Sequence, residues 1–157
     1  MADLTGGHPG SPVAVLEPLA EAECLRLISP GGIGRIAYSG RYGLTVLPVN
    51  YKLHDGAIVF RTSQRSLTGE DLRTGIAHAE YLVAFEIDHI DPISREGWSV
   101  LIHGPAHHMD SEAERAAVLA SEVEPWPGGP HEHAIRIIPD RVTGRRLRRM
   151  PPAGEPA

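Results

Sequence analysis

Residues 44–62 read LTVLPVNYKLHDGAIVFRT, and this stretch decides the fold class. Two β-rich runs, 44–53 and 57–62, flank His54-Asp55-Gly56. Asp-Gly between such runs is a strong hairpin signal, because these turns need a positive φ that glycine adopts without penalty. Pro48 inside the first run cannot donate to a ladder, so a bulge or a strand edge is expected there.

Working outward, 33–38 (IGRIAY) reads as a short strand closed by a turn at Ser39-Gly40-Arg41, and 81–88 (YLVAFEID) as another. In 98–109 (WSVLIHGPAHHM) the period of two puts Trp98, Val100 and Ile102 on one face and Ser99, Leu101 and His103 on the other. Strands 133–138 and about 141–147 complete a set of some seven. Helices are expected over 17–28, where Cys24, Leu25 and Ile28 share a stripe, and over about 111–123, opened by a Ser111/Glu114 capping box. A short helix is also expected within 63–75, with Thr68 as its cap and Asp71 three residues on. The strands follow one another at hairpin spacing, without strand–helix alternation. The fold class is therefore mainly β (α+β), an antiparallel barrel with two or three appended helices.

The chain has 157 residues, which favours one domain: tails at 1–12 and 151–157, both rich in Pro and Gly, flank a unit at 13–150. Hydrophobic residues make up 41% and charged residues 22%, an ordinary globular balance. A net charge of −5 argues against nucleic acid and anionic membranes as partners, and no run approaches the length of a membrane span. The opening MADLTGGHPGSP has neither the basic nor the apolar segment of a secretory signal, and a cytoplasmic location is expected. Cys24 is the sole cysteine, so an intramolecular disulfide and a multi-Cys metal site are excluded.

Chemical motifs are sparse. No G-x-S-x-G, no phosphate loop of the G-x-x-x-x-G-K type and no strand-linked G-x-G-x-x-G occurs. Among nine histidines, His103 and His107 lie four apart on one strand and His131 and His133 share a face. Neither pair has a carboxylate at ligand spacing, and no metal is expected. The roles of His103, His107 and His108 stay open. Fourteen of the fifteen basic residues are arginine, Lys52 being the exception, so a bound phosphate or carboxylate would be held by guanidinium forks. The run at 141–149 (RVTGRRLRR) reads as a terminal strand with solvated or paired arginines. Segment 60–66 sets Arg61 and Arg65 among Thr62, Ser63 and Ser66 at a strand exit, a candidate anion site beside the reading of an ordinary polar turn.

Five stretches occur in order: Gly34-Arg35-Ile36-Ala37; Pro48-Val49-Asn50-Tyr51; Phe60-Arg61-Thr62; Val83 to Asp88; and Gly97 to Ala106. So arranged, the chain resembles the pyridoxamine 5′-phosphate oxidase-like FMN-binding proteins, particularly the nitroimidazole-resistance-related branch, over about residues 17–148. The resemblance implies a Greek-key split barrel and a homodimer with FMN in two clefts at the subunit interface. It implies a flavin oxidoreductase acting on an unidentified small molecule. By position, Pro48, Val49 and Asn50 would line the flavin edge, and Phe60, Arg61 and Thr62 the ring or ribityl chain. Arg65 and Ser66 would meet the phosphate, and Trp98 and Ser99 would approach from the second subunit. Many relatives carry a lysine one residue after the position of Ser66; Leu67 stands here, leaving Arg61 and Arg65 as the cations. Related split barrels hold the deazaflavin F420 or haem. The alternatives are accordingly an F420-dependent reductase and a non-catalytic flavin or haem binder.

Overall fold

A computed structural model of the chain describes residues 11–62, 72, 81–120 and 133–152. The elements run β1 (Val13–Leu19), α1 (Glu21–Ile28), β2 (Gly32–Gly40), β3 (Gly43–His54), β4 (Ala57–Thr62), β5 (Tyr81–Ile90), β6 (Gly97–His108), α2 (Glu112–Ala120), β7 (His133–Ile137) and β8 (Arg141–Met150). Every pairing is antiparallel. The order β6-β5-β2-β3-β4-β7 closes on itself through a β6–β7 pairing, giving a six-stranded barrel, and β8 and β1 extend the sheet from β6.

The hairpin at 54–57 forms as its sequence requires: His54 pairs with Ala57, and Asp55 and Gly56 have φ of 49° and 76°. Pro48 pairs in register with Arg35, and β4 joins β3 only from Tyr51 onward, so the proline stands where one edge of β3 is open. The capping box is reciprocal. Ser111 N–H donates to Glu114 Oε2 at 2.9 Å, and Glu114 N–H to Ser111 Oγ at 3.1 Å.

The barrel splits along β6. Gly97–His103 pair with β8 and Ala106–His108 with β7. Between them, Ile138-Pro139-Asp140 span only Gly104 and Pro105, a bulge that steers the chain out of the barrel. Ile138 N–H donates to Pro105 O and Asp140 N–H to His103 O, and a Cβ on Gly104 would come within 1.9 Å of Ile138 O.

Two elements differ from expectation. Residues 13–19 form β1, so the helix begins at Glu21 rather than residue 17. Pro18 is tolerated because β1 is an edge strand, paired with β8 alone. β8 continues to Met150 for the same reason: its arginine-rich end has β1 as a partner. The helix expected within 63–75 lies outside the described residues, apart from a buried Leu72.

Inside the barrel, Phe85 meets Tyr51 edge-on at 5.5 Å and lies against Phe60 at 6.2 Å, with Ile36, Ile58, Ile102, Ile135 and Ile137 around them. Tyr51 donates its hydroxyl proton to Ile28 O at 2.9 Å, which satisfies a carbonyl at the end of α1 and ties that helix to the barrel. Burial pushes the Tyr51 phenol up to about 12, so it stays a neutral donor. Among the described residues no helix is long and apolar enough to cross a membrane.

Candidate functional site

The candidate residues fall into two groups on the barrel wall. In the first, Tyr51 and Phe60 pair across β3 and β4 and point inward, so the residues flanking them, Asn50 and Arg61, take the outer face of neighbouring strands. Pro48 is exposed on that face, two residues from Asn50, while Val49 is half-buried against the core. Thr62 is buried at the strand exit, opposite His133. Phe60 is wholly buried, and its ring serves the barrel interior. Arg65, Ser66 and Leu67 lie outside the described residues.

The second group sits at the start of β6, three strands away through β2 and β5. Trp98 is half-buried against the core and stacks on His89 at 6.4 Å; Ser99 faces outward. Within one chain these residues do not meet the β3–β4 group.

Registers across the sheet align the outward residues in rows. One row runs Val46, Ala37, Ala84, His103, Arg141, and the next Pro48, Arg35, Glu86, Leu101, Thr143. The two alanines form the floor of a cleft of about 640 Å³ walled by Leu44, Val46 and Leu82. A second cleft of about 470 Å³ lies over Glu86, Asp88, Ser99, Leu101 and Arg145. In it, Arg145 Nε stands 3.4 Å from Ser99 Oγ. Arg35 bonds Glu86 at 3.2 Å and approaches Asp88 at 3.6 Å. Burial and Asp88 push the Glu86 carboxyl up against the pull of Arg35.

Arg145 and the Arg35–Glu86–Asp88 cluster lie in stretches quoted from the sequence, but not among its candidate site residues. Strand parity marks each as outward, but the register that brings residue 145 to residue 99 is long-range. No group of three or more His, Cys, Asp or Glu poised for a metal occurs among the described residues. His107 lies 3.9 Å from Glu114 on the side covered by α2, and His103 stands exposed at the end of the alanine floor. Cys24 is fully buried, and burial pushes its thiol up, away from the thiolate a nucleophile needs.

The fold has counterparts among solved structures. An uncharacterized protein of Mycobacterium tuberculosis is 31% identical over 144 residues, covering 90% of this chain and 93% of its own length. The structure described as the FAD binding protein from Mycobacterium smegmatis superposes with a TM-score of 0.66 at 27% identity, covering 83% of this chain and 99% of that one. A FAD and haem binding protein from the same organism shares the fold at a TM-score of 0.67 and 11% identity, covering 90% of this chain and 77% of that one. The family described as pyridoxamine 5′-phosphate oxidase matches residues 20–146, and this chain, with its closed six-stranded barrel and split β6, belongs to it.

Proposed function

We propose that this protein is a flavin-binding oxidoreductase acting on a small molecule, that it works as a homodimer, and that it stands with the nitroimidazole-resistance-related branch. The observation that carries the reading is the outer-face placement of Pro48, Asn50 and Arg61 at the β3–β4 step. An isoalloxazine ring needs an apolar edge, hydrogen-bonding groups for its heteroatoms and a cation for the attached phosphate. Pro48 supplies the first, the Asn50 carboxamide the second, and Arg61, with Arg65 and Ser66 beyond the described strand end, the third. Trp98 and Ser99 enter from a second copy. A flavin bound there would supply hydride and electron transfer; the chain's own residues position the ring and shape the space above it.

FMN is the cofactor the ordered motifs favour, while the Mycobacterium smegmatis relative at 27% identity is described as binding FAD. Visible absorption of the purified protein tests the reading. Two flavin bands, with FMN identified by mass after release, support it; FAD would keep the flavin and correct its form. A single F420 band or a Soret band would replace it. Reduction of a bound flavin by NADH or NADPH in stopped flow then separates an oxidoreductase from a passive binder.

A further inference from the structure

We propose that the cleft between the β3–β4 hairpin, β7 and the first turns of α2 is a second binding site, for a small apolar α-amino acid whose carboxylate meets Arg136 and whose ammonium meets Glu114. It goes beyond the proposed flavin site and does not depend on it. The cleft lies toward the hairpin end of β4, whereas Arg61 and Thr62 stand at that strand's other end.

The outward row Lys52, Val59, Arg136, His107 crosses β3, β4, β7 and β6. Part of this row is covered by α2. Val59 points outward yet is buried, packed with Met109, Ala134 and Ala117. The helix faces the wall with alanines, and their small side chains leave a cleft of about 350 Å³ beside Val59, Ala113 and Ala117, with Arg136 in its lining. A space of this size exceeds by far the roughly 30 Å³ that one water occupies.

The charges in the cleft are opposed but not joined. Among the described residues Arg136 Nε is buried without a hydrogen-bond partner, and no ion pair includes its guanidinium. A buried donor on a cation is costly to leave unmatched. Glu114 is engaged elsewhere: Oε2 accepts from Ser111 N–H at 2.9 Å, and Oε1 stands 3.9 Å from His107 Nε2. The Ser111 N–H first, then the Ser111 side chain with His107 and Arg136 beyond it, hold the Glu114 carboxyl below the usual carboxylate range despite its burial. A guanidinium and a carboxylate set apart in one cleft are matched by a molecule that carries both opposite charges. A plain anion would meet Glu114 as a like charge, and a plain amine would meet Arg136 so. Asp55 adds a second negative charge at the tip of the hairpin, where its side chain is 93% exposed. The rest of the wall, with Val59, Met109, Ala113, Ala117 and Ile138, is apolar and receives an aliphatic side chain.

Calorimetry on the full chain as purified tests this with L-leucine and two relatives of the same carbon skeleton. These are 4-methylpentanoate, which lacks the ammonium, and isoamylamine, which lacks the carboxylate. L-leucine should bind at one site per chain, and each relative at least about tenfold more weakly, the effect of losing one charge-assisted hydrogen bond. Arg136→Gln should remove the preference for leucine over isoamylamine. Glu114→Gln, which keeps a capping-box side chain, should remove the preference over 4-methylpentanoate. Ala113→Leu should fill the cleft and abolish binding with both charges in place, while circular dichroism stays that of the folded barrel. No saturable heat with leucine, equal binding of the three compounds, or variants that bind as wild type does would each overturn the inference. Leucine binding by a protein devoid of flavin would keep this site and remove the cofactor reading; a flavin-loaded chain that does not bind leucine would do the reverse.

Discussion

The ring of Phe85 lies directly over the Cα of Gly34: a Cβ built there would come within 2.2 Å of Phe85 Cε1 and 2.5 Å of Cζ. Gly34 is an ordinary strand residue without positive φ, so its smallness, not its flexibility, lets β2 pass beneath the central ring of the core. Gly34→Ala should cost about 1–3 kcal/mol in urea unfolding, the scale of an overpacked core. In the Gly34→Ala background, Phe85→Leu should be less damaging than in wild type, since the clash is shared. Additive effects of the two substitutions would refute the contact.

Cys24 and Gly144 form a similar close pair between α1 and β8, with a Cβ on Gly144 falling 2.4 Å from Cys24 Sγ. The native thiol is buried and its pKa raised by burial, so a thiol reagent should label it far more slowly than the unfolded chain. Gly144→Ala should push α1 outward, lower stability by about 1–3 kcal/mol and speed labelling. Rapid labelling of the wild-type protein under native conditions would contradict the packing.

Glu23 joins the same helix to β8. Its carboxylate accepts from Arg26 Nε at 2.8 Å and from Arg146 Nη2 at 3.0 Å. These hydrogen bonds, Arg26 first, hold its pKa down from the ordinary 4.5 to about 2. A carboxyl depressed on folding stabilises the native state fully above its unfolded value. That contribution is lost as pH falls from about 4.5 toward about 2. Melting temperature measured across this window should fall less steeply for Glu23→Gln than for wild type. Parallel pH profiles would show that the bridge does not persist in solution.

Much of the fold is legible locally. The Asp55-Gly56 turn, the Ser111–Glu114 box and the inward set of Val100 and Ile102 each follow from neighbours a few residues apart. What escapes is long-range. The sequence of β1 looks like a lead-in to the helix until β8 is seen beside it, and the split at Gly104-Pro105 depends on the bulge at 138–140. The candidate site divides the same way. Asn50 and Arg61 are readable from motif order and strand parity, whereas the Ser99–Arg145 contact joins residues 46 apart. Phe60 shows where the two kinds of reading diverge: the motif sets it among the cofactor residues, while parity with Phe85 and Tyr51 sends its ring inward.

Trp98 bears on core and site together. It rests on the barrel core and on His89, at the start of β6 where the proposed site draws on a second copy. Trp98→Ala should therefore weaken dimer and cofactor binding together. A loss confined to the melting temperature would make it a packed strand residue and no more.

Arg61 and Arg65 divide the cofactor between them in the proposed site. Arg61→Ala should weaken FMN by about 1.5–3 kcal/mol, the scale of a charge-assisted hydrogen bond, as read by calorimetry on the flavin-stripped protein. Arg65→Ala, acting on the phosphate, should weaken FMN while leaving riboflavin nearly unchanged, because riboflavin has no anion for the guanidinium to hold. If riboflavin loses as much as FMN, the Arg65 effect is structural. If neither variant changes FMN affinity, the guanidiniums at the exit of β4 are not the cofactor's cations, and Arg145 beside Ser99 becomes the cation to replace next.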